Sequence, residues 1–290
     1  MKKLAFLCLS GIIFLFAPLQ ASAQDQQMET YKIYDVKAGK VISFEGMIQA
    51  MDEADVLFFG EQHDDSLGHA MQDMIYTALL DQYGAVCLSL EMFETDVQYI
   101  LDEYLQDYIT EDKFLKDTRP WKNYKEHYRS MVETAKARGQ SVVAANAPRR
   151  YVSMVSRKGL AHLEGLPKTA RALLPPLPIE TGGDAYYDRF QEAMGGADHG
   201  MGDNIYFAQC VWDASMAYAI FRYWKKHKQE KIFHLIGRFH TDYQQGTFEQ
   251  LQQYGKKLRI RNISCFPAED FADPDWSAYR DLGDFVILHE

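Results

Sequence analysis

The strongest constraint in this sequence is a set of short apolar, β-branched runs separated by longer stretches with helical periodicity. The runs are Val56–Phe59, Val86–Leu90, Val142–Ala145, Ile232–Ile236 and Leu258–Phe266, with Phe285–Leu288 closing the chain. Several are apolar at successive positions, as strands covered on both faces are, whereas a half-solvated strand alternates. The intervening patterns predict helices over Asp65–Gln82, Thr95–Leu105, Lys122–Ala137, Pro148–Leu163, Asn204–Lys228 and Phe248–Tyr254. Thr95 is placed as an N-cap, Gly139 as a terminator, and Lys225, Lys226 and Lys228 at the negative end of a helix dipole. This alternation predicts an α/β fold, a mainly parallel β-sheet flanked by helices on both faces. Two stretches break the rhythm. Asp107–Trp121 reads as a small helical excursion. Residues 164–202 form a Pro/Gly-rich insertion around Leu174-Pro175-Pro176-Leu177-Pro178, Gly182-Gly183 and Gly195-Gly196. A connection of that length serves as a lid, a binding loop or a partner surface. A homodimer built through it is one assembly to expect.

In open parallel sheets, ligands gather beyond the carboxyl ends of the strands. The first strand is followed by Gly60-Glu61-Gln62-His63-Asp64, the second by Glu91, the third by Asn146 and Pro148-Arg149-Arg150, the fourth by Gly237-Arg238-Phe239-His240. Parallel strands would place Glu61, His63, Glu91, Asn146, Arg149, Arg238 and His240 along one rim. Glu91 follows a fully apolar strand, where an unpaired carboxylate is costly, so it needs a partner. His69 either looks back into the same pocket or caps packing. Asp213 is disfavoured in mid-helix; it either pairs with Arg149, Arg150 or Arg238 or lies on the surface. The remaining histidines, His289 among them, read as surface or packing residues.

Met1–Ala23 reads as a secretory signal peptide: Lys2 and Lys3, an uncharged apolar run from Leu4 to Leu19, then Ala21-Ser22-Ala23. Its removal leaves residues 24–290 as one domain with no membrane-spanning segment, exported to the periplasm or beyond. Cys8 sits inside the apolar run and does not fit a lipid-anchor box. Loss of Lys2 and Lys3 takes the net charge from −10 to −12. So acidic a chain lacks the basic footprint that nucleic acid requires. Cys87, Cys210 and Cys265 lie in apolar elements and read as buried thiols.

Mixed Glu and His donors suit a divalent metal, with Glu61, His63 and His240 as candidate ligands. The same groups without metal could do acid–base chemistry, as in a hydrolase. The sequence has no Gly-x-Ser-x-Gly elbow, no His-Glu-x-x-His helix and no phosphate-binding glycine loop. The 18 tyrosines and 17 phenylalanines supply flat apolar surface, and Tyr and His both ligate haem iron.

Five ordered segments resemble the ChaN-like family. They are Val56–His63 followed by His69, Ser89-Leu90-Glu91-Met92-Phe93, Ala145-Asn146-Ala147-Pro148-Arg149, Ala208–Ala217, and Gly237-Arg238-Phe239-His240. They span about Lys32 to Ala268 and resemble, more distantly, the TIKI proteases and erythromycin esterases. The resemblance implies haem as cofactor and a role in iron uptake. Tyr151, Tyr186 and Tyr187 are the candidate haem ligands. Some members are lipoproteins, and this chain departs from them in lacking the anchor.

Overall fold

The computed structural model describes residues 30–195 and 203–290. The expected signal segment and the end of the insertion lie outside the described residues. In chain order the elements are β1 (Tyr31–Asp35), β2 (Lys40–Ile42), α1 (Phe44–Ala50), β3 (Val56–Glu61), α2 (Ser66–Tyr83), β4 (Val86–Glu94), α3 (Gln98–Leu105), α4 (Glu111–Thr118), α5 (Tyr124–His127), α6 (Arg129–Ala137), β5 (Val142–Asn146), α7 (Arg149–Lys158), α8 (Lys168–Arg171), α9 (Asp184–Ala193), α10 (Asn204–Lys226), β6 (Lys231–Gly237), α11 (Thr247–Tyr254), β7 (Ile260–Pro267) and β8 (Phe285–His289).

The strands form one sheet in the order β2-β1-β8-β7-β3-β6-β4-β5. The six from β8 to β5 pair in parallel, and β1 joins β8 antiparallel and turns back into β2. This is the expected α/β architecture, with an antiparallel edge that the sequence did not announce. In β1 only Ile33 is buried, so no apolar period marks it.

The doubly apolar runs have a direct cause. Leu57 and Phe59 of β3 pack with Met71, Ile75 and Leu79 of α2 on one face. Val56 and Phe58 pack with Met216, Ala217 and Ile220 of α10 and Phe248 and Leu251 of α11 on the other. Adjacent strands β3 and β6 send their connections in opposite directions. β3 continues through α2 to β4 on one side, and β6 through α11 to β7 on the other. Such a reversal opens a crevice at the strand ends.

Four local readings change. β4 runs on to Glu94, with its pairing to β5 shifted between Leu90 and Glu94, so Glu91 lies inside a strand. Thr95 does not cap: its hydroxyl donates to the Leu173 carbonyl at 2.7 Å. The helix expected over Lys122–Ala137 breaks at Tyr128 into α5 and α6. The insertion carries α8 and α9, and Tyr186 and Phe190, four residues apart on α9, bury against Tyr206 and Phe239.

Phe233, fully buried on β6, lies 6.1 Å from the Tyr76 ring and 6.3 Å from Phe59. Phe233→Ala is expected to cost about 3–5 kcal/mol of unfolding free energy. Urea titration reads this as a fall in midpoint; a loss under about 1 kcal/mol would mean that Phe233 does not anchor the core between β6 and α2.

Candidate functional site

Each strand end delivers its side chains for a local reason. β3 ends at Glu61, which is 2% exposed. Its Oε1 accepts from the Tyr128 hydroxyl at 2.5 Å and from His63 Nδ1 at 2.8 Å. Its Oε2 accepts from the Gln72 amide of α2. A carboxylate this buried is tolerable only with such donors. His69, at the start of α2, bridges the Gln72 amide oxygen and the His63 carbonyl, and stacks on His127. It thus stands behind the pocket and braces it.

β6 ends at Gly237, whose N–H donates to Glu91 Oε2 at 2.7 Å. This is the partner Glu91 required, and it is backbone, not arginine. A Cβ at Gly237 would lie 2.9 Å from His63 Cε1 and Nε2, so glycine lets the ring close over the strand end. The helical turn Arg238–His240 then brings His240 inward. His240 Nδ1 donates to Asp213 Oδ1 of α10 at 2.7 Å, and its Nε2 faces Glu91 Oε1 at 3.8 Å. Asp213 also accepts from Thr247 Oγ1 at 2.8 Å and from the Tyr186 hydroxyl at 2.7 Å. Asp213 is therefore buried, as one reading of its mid-helix position had it, but held by histidine, tyrosine and threonine instead of an arginine.

Two carboxylate–histidine pairs thus stand side by side at the crevice. Burial opposes a charge on each ring. The Glu61 hydrogen bond and the Glu91 charge outweigh it at His63, and Asp213 with Glu91 outweighs it at His240; both histidines are raised. Fully buried His234, behind them on β6, goes the other way: burial pushes it down to about 3.

A cleft of about 450 Å³ opens over these groups. His63, His240, Gln209 and Arg238 supply its polar side, and Phe190, Ala193, Met194 and Phe239 its apolar side. The structure brings Glu61, His63, Glu91, Arg238 and His240 together. Arg238 is turned partly away, its Nε on Asp242 at 2.8 Å and its guanidinium over Phe266. Asn146 does not join them: its side-chain oxygen takes the Ala147 N–H. Arg149 is exposed, 3.9 Å from Glu94, and lines a neighbouring groove with Arg119, Trp121 and Lys122. Tyr186 is fully enclosed, and burial together with the Asp213 charge raises its hydroxyl well above the ordinary value, which opposes a phenolate for iron. Tyr187 donates to Asp203 and stays partly open, while Tyr151 packs under Arg150 on α7.

The set Glu61, His63, His240 fits a divalent metal poorly, because each Glu61 oxygen already accepts from a group outside the set, Oε1 from Tyr128 and Oε2 from Gln72. Sequence reasoning missed Gln72 and Tyr128, and it named Gly237 only as the start of the segment after the fourth strand. Gln72 carried a signal, a polar residue between apolar Met71 and Ile75 and fully buried here. Tyr128 carried none.

A family model described as "Haem-binding uptake, Tiki superfamily, ChaN" matches residues 47–251. The chain belongs to this haem-binding family. Among solved structures it is similar to "Cofacial heme binding to ChaN of Campylobacter jejuni", with TM-score 0.69, 20% identity, and 90% of this chain and 98% of that chain covered. It is less similar to an erythromycin esterase, "EreC H289N in its open conformation", with TM-score 0.47, 12% identity, and 82% and 77% covered. No curated protein sequence matches. The family match supports haem binding and does not favour hydrolysis.

Two outcomes follow from the geometry. Gly237→Ala is expected to push His63 off Glu61 and lower the His63 pKa toward about 6.5, readable by NMR titration of its ring protons. An unchanged titration would show that the glycine does not set the pair. For the raised His63 and His240, stability is fully present below the unfolded value of about 6.5 and is lost as pH rises through the folded values. For His234 the sign reverses, and stability is lost as pH falls from about 6.5 toward about 3. The thermal midpoint should therefore peak near pH 6.5; a midpoint rising steadily to pH 9 contradicts this.

Proposed function

We propose that the protein binds haem in this cleft, as an exported protein serving haem or iron acquisition. The observation that carries the reading is the haem-uptake family match, whose range contains every side chain lining the cleft. The donor set fits the group. Phe190, Met194 and Phe239 offer an apolar wall for a flat ring. His63 holds its Nδ1 on Glu61, which leaves Nε2 as the nitrogen donor, the tautomer that a carboxylate behind a ligating imidazole fixes. Bound haem would supply an iron centre. The residues of this chain orient it, exclude water from one face and hold charge beside it. Tyr151 and Tyr187 do not line the cleft, so His63 is the donor of the proposal. Tyr186 positions Asp213 and, through it, His240.

Export rests on the residue 1–23 pattern. No helix among the described residues is long and apolar enough to cross a membrane. The similar Campylobacter protein is described as binding haem cofacially, and a homodimer of this chain around haem is part of the proposal.

Titrating the purified full chain with haemin should give a saturable Soret shift. Met194→Ala and Phe239→Ala should each weaken binding roughly tenfold, the loss of part of a buried apolar contact. His63→Ala should displace the Soret maximum, and Tyr151→Phe, Tyr186→Phe and Tyr187→Phe should not. Absence of a saturable shift in the wild-type chain would refute the proposal. Sizing chromatography with and without haemin tests the dimer.

A further inference from the structure

A second group of donor side chains lies outside the cleft, on the other side of β3. Asp65, Cys265 and His289 each present one ligand atom, and the three atoms lie within 4.8 Å of one another. They come from three places that the fold alone unites: the residue before α2, the end of β7 and the end of β8. Cys265 sits opposite Ile287 on β8, and His289 lies two residues on, so thiol and imidazole share the sheet face that α2 covers. Cys265 and His289 are buried and the Asp65 side chain is 8% exposed.

We infer that Asp65, Cys265 and His289 form a binding site for a zinc-like divalent cation.

The donors are chemically matched. One thiolate, one imidazole and one carboxylate make the mixed set that borderline metals such as zinc and cobalt prefer over calcium or magnesium. Zinc–ligand bonds of about 2.0–2.3 Å place tetrahedral donors roughly 3.5 Å apart. Asp65 Oδ2 and His289 Nε2 are now 2.7 Å apart, so they would open by under about 1 Å to admit the ion. The outer contacts are also in place. His289 Nδ1 sits 2.9 Å from the Glu290 main-chain oxygen, and an N–H donated there leaves the Nε2 lone pair facing Asp65 and Cys265. Asp65 Oδ1 accepts the Leu67 N–H at 3.1 Å, which fixes the carboxylate and leaves Oδ2 toward the group. Binding would release the Cys265 thiol proton to solvent, and water would fill the fourth position. The ion would tie β8, the last strand, to the start of α2.

The plain alternative is an aspartate–histidine ion pair beside an inert thiol, and one experiment separates the two. The full chain, stripped with chelator, is titrated with cobalt(II). The site predicts one equivalent bound with a thiolate-to-cobalt charge-transfer band, retained in His63→Ala, which removes a donor from the cleft. Cys265→Ser should abolish the band. Zinc should raise the thermal midpoint of the wild-type chain in a concentration-dependent way. Asp65→Asn keeps an oxygen to cap α2 and removes the charge, and should weaken cobalt binding more than roughly tenfold. This variant decides the matter if Cys265→Ser does not fold. No charge-transfer band in the wild-type chain overturns the site. So does an unchanged band in folded Cys265→Ser, or unchanged affinity in Asp65→Asn.

Discussion

The carboxylate of Glu61 is the joint on which the site depends. It sits at the end of a central strand, out of water, and is stable there only because three donors from separate parts of the chain converge on it: Gln72 from α2, Tyr128 from the break between α5 and α6, and His63 from the loop. Removing one donor from a buried carboxylate typically costs about 1–3 kcal/mol, because the desolvation penalty remains while the compensation is lost. The same bonds aim His63 at the crevice, so folding and positioning are one interaction.

The second pair is built from the opposite face. Asp213 lies on α10, His240 follows β6, and Tyr186 arrives on α9 from the insertion. Between the two pairs stands Gly237, which gives its N–H to Glu91 and leaves room for the His63 ring. The parallel sheet brings the strand ends together, and the reversal between β3 and β6 makes the gap that the cleft fills. Phe190, Met194 and Phe239 then add an apolar wall to a charged floor, an arrangement suited to a flat ring carrying a metal.

Much of this was legible in the sequence. Runs apolar at successive positions required a two-sided cover, and the rule of parallel strand ends placed Glu61, His63, Glu91 and His240 at one rim. The rule failed for Asn146 and Arg149, since β5 is an edge strand, separated from β6 by β4, and its polar end serves local turns and a surface groove. Tyr186 read as part of a Pro/Gly-rich loop; its role appears only once α9 folds onto α10. The antiparallel strands β1 and β2 stayed hidden because Ile33 alone is buried in β1. Asp213 was conspicuous as a mid-helix aspartate, but its partner lies 27 residues away and no local pattern points to it. Asp65, Cys265 and His289 read as the start of a helix, a buried thiol and a surface or packing residue, and only the pairing of β7 with β8 brings the last two into register.

The most direct measurement is a crystal structure of the full chain with haemin bound. The account predicts the porphyrin against Phe190, Met194 and Phe239, with the iron on the side of the cleft that holds His63. A porphyrin seated elsewhere, with His63 and His240 left facing solvent, would contradict it.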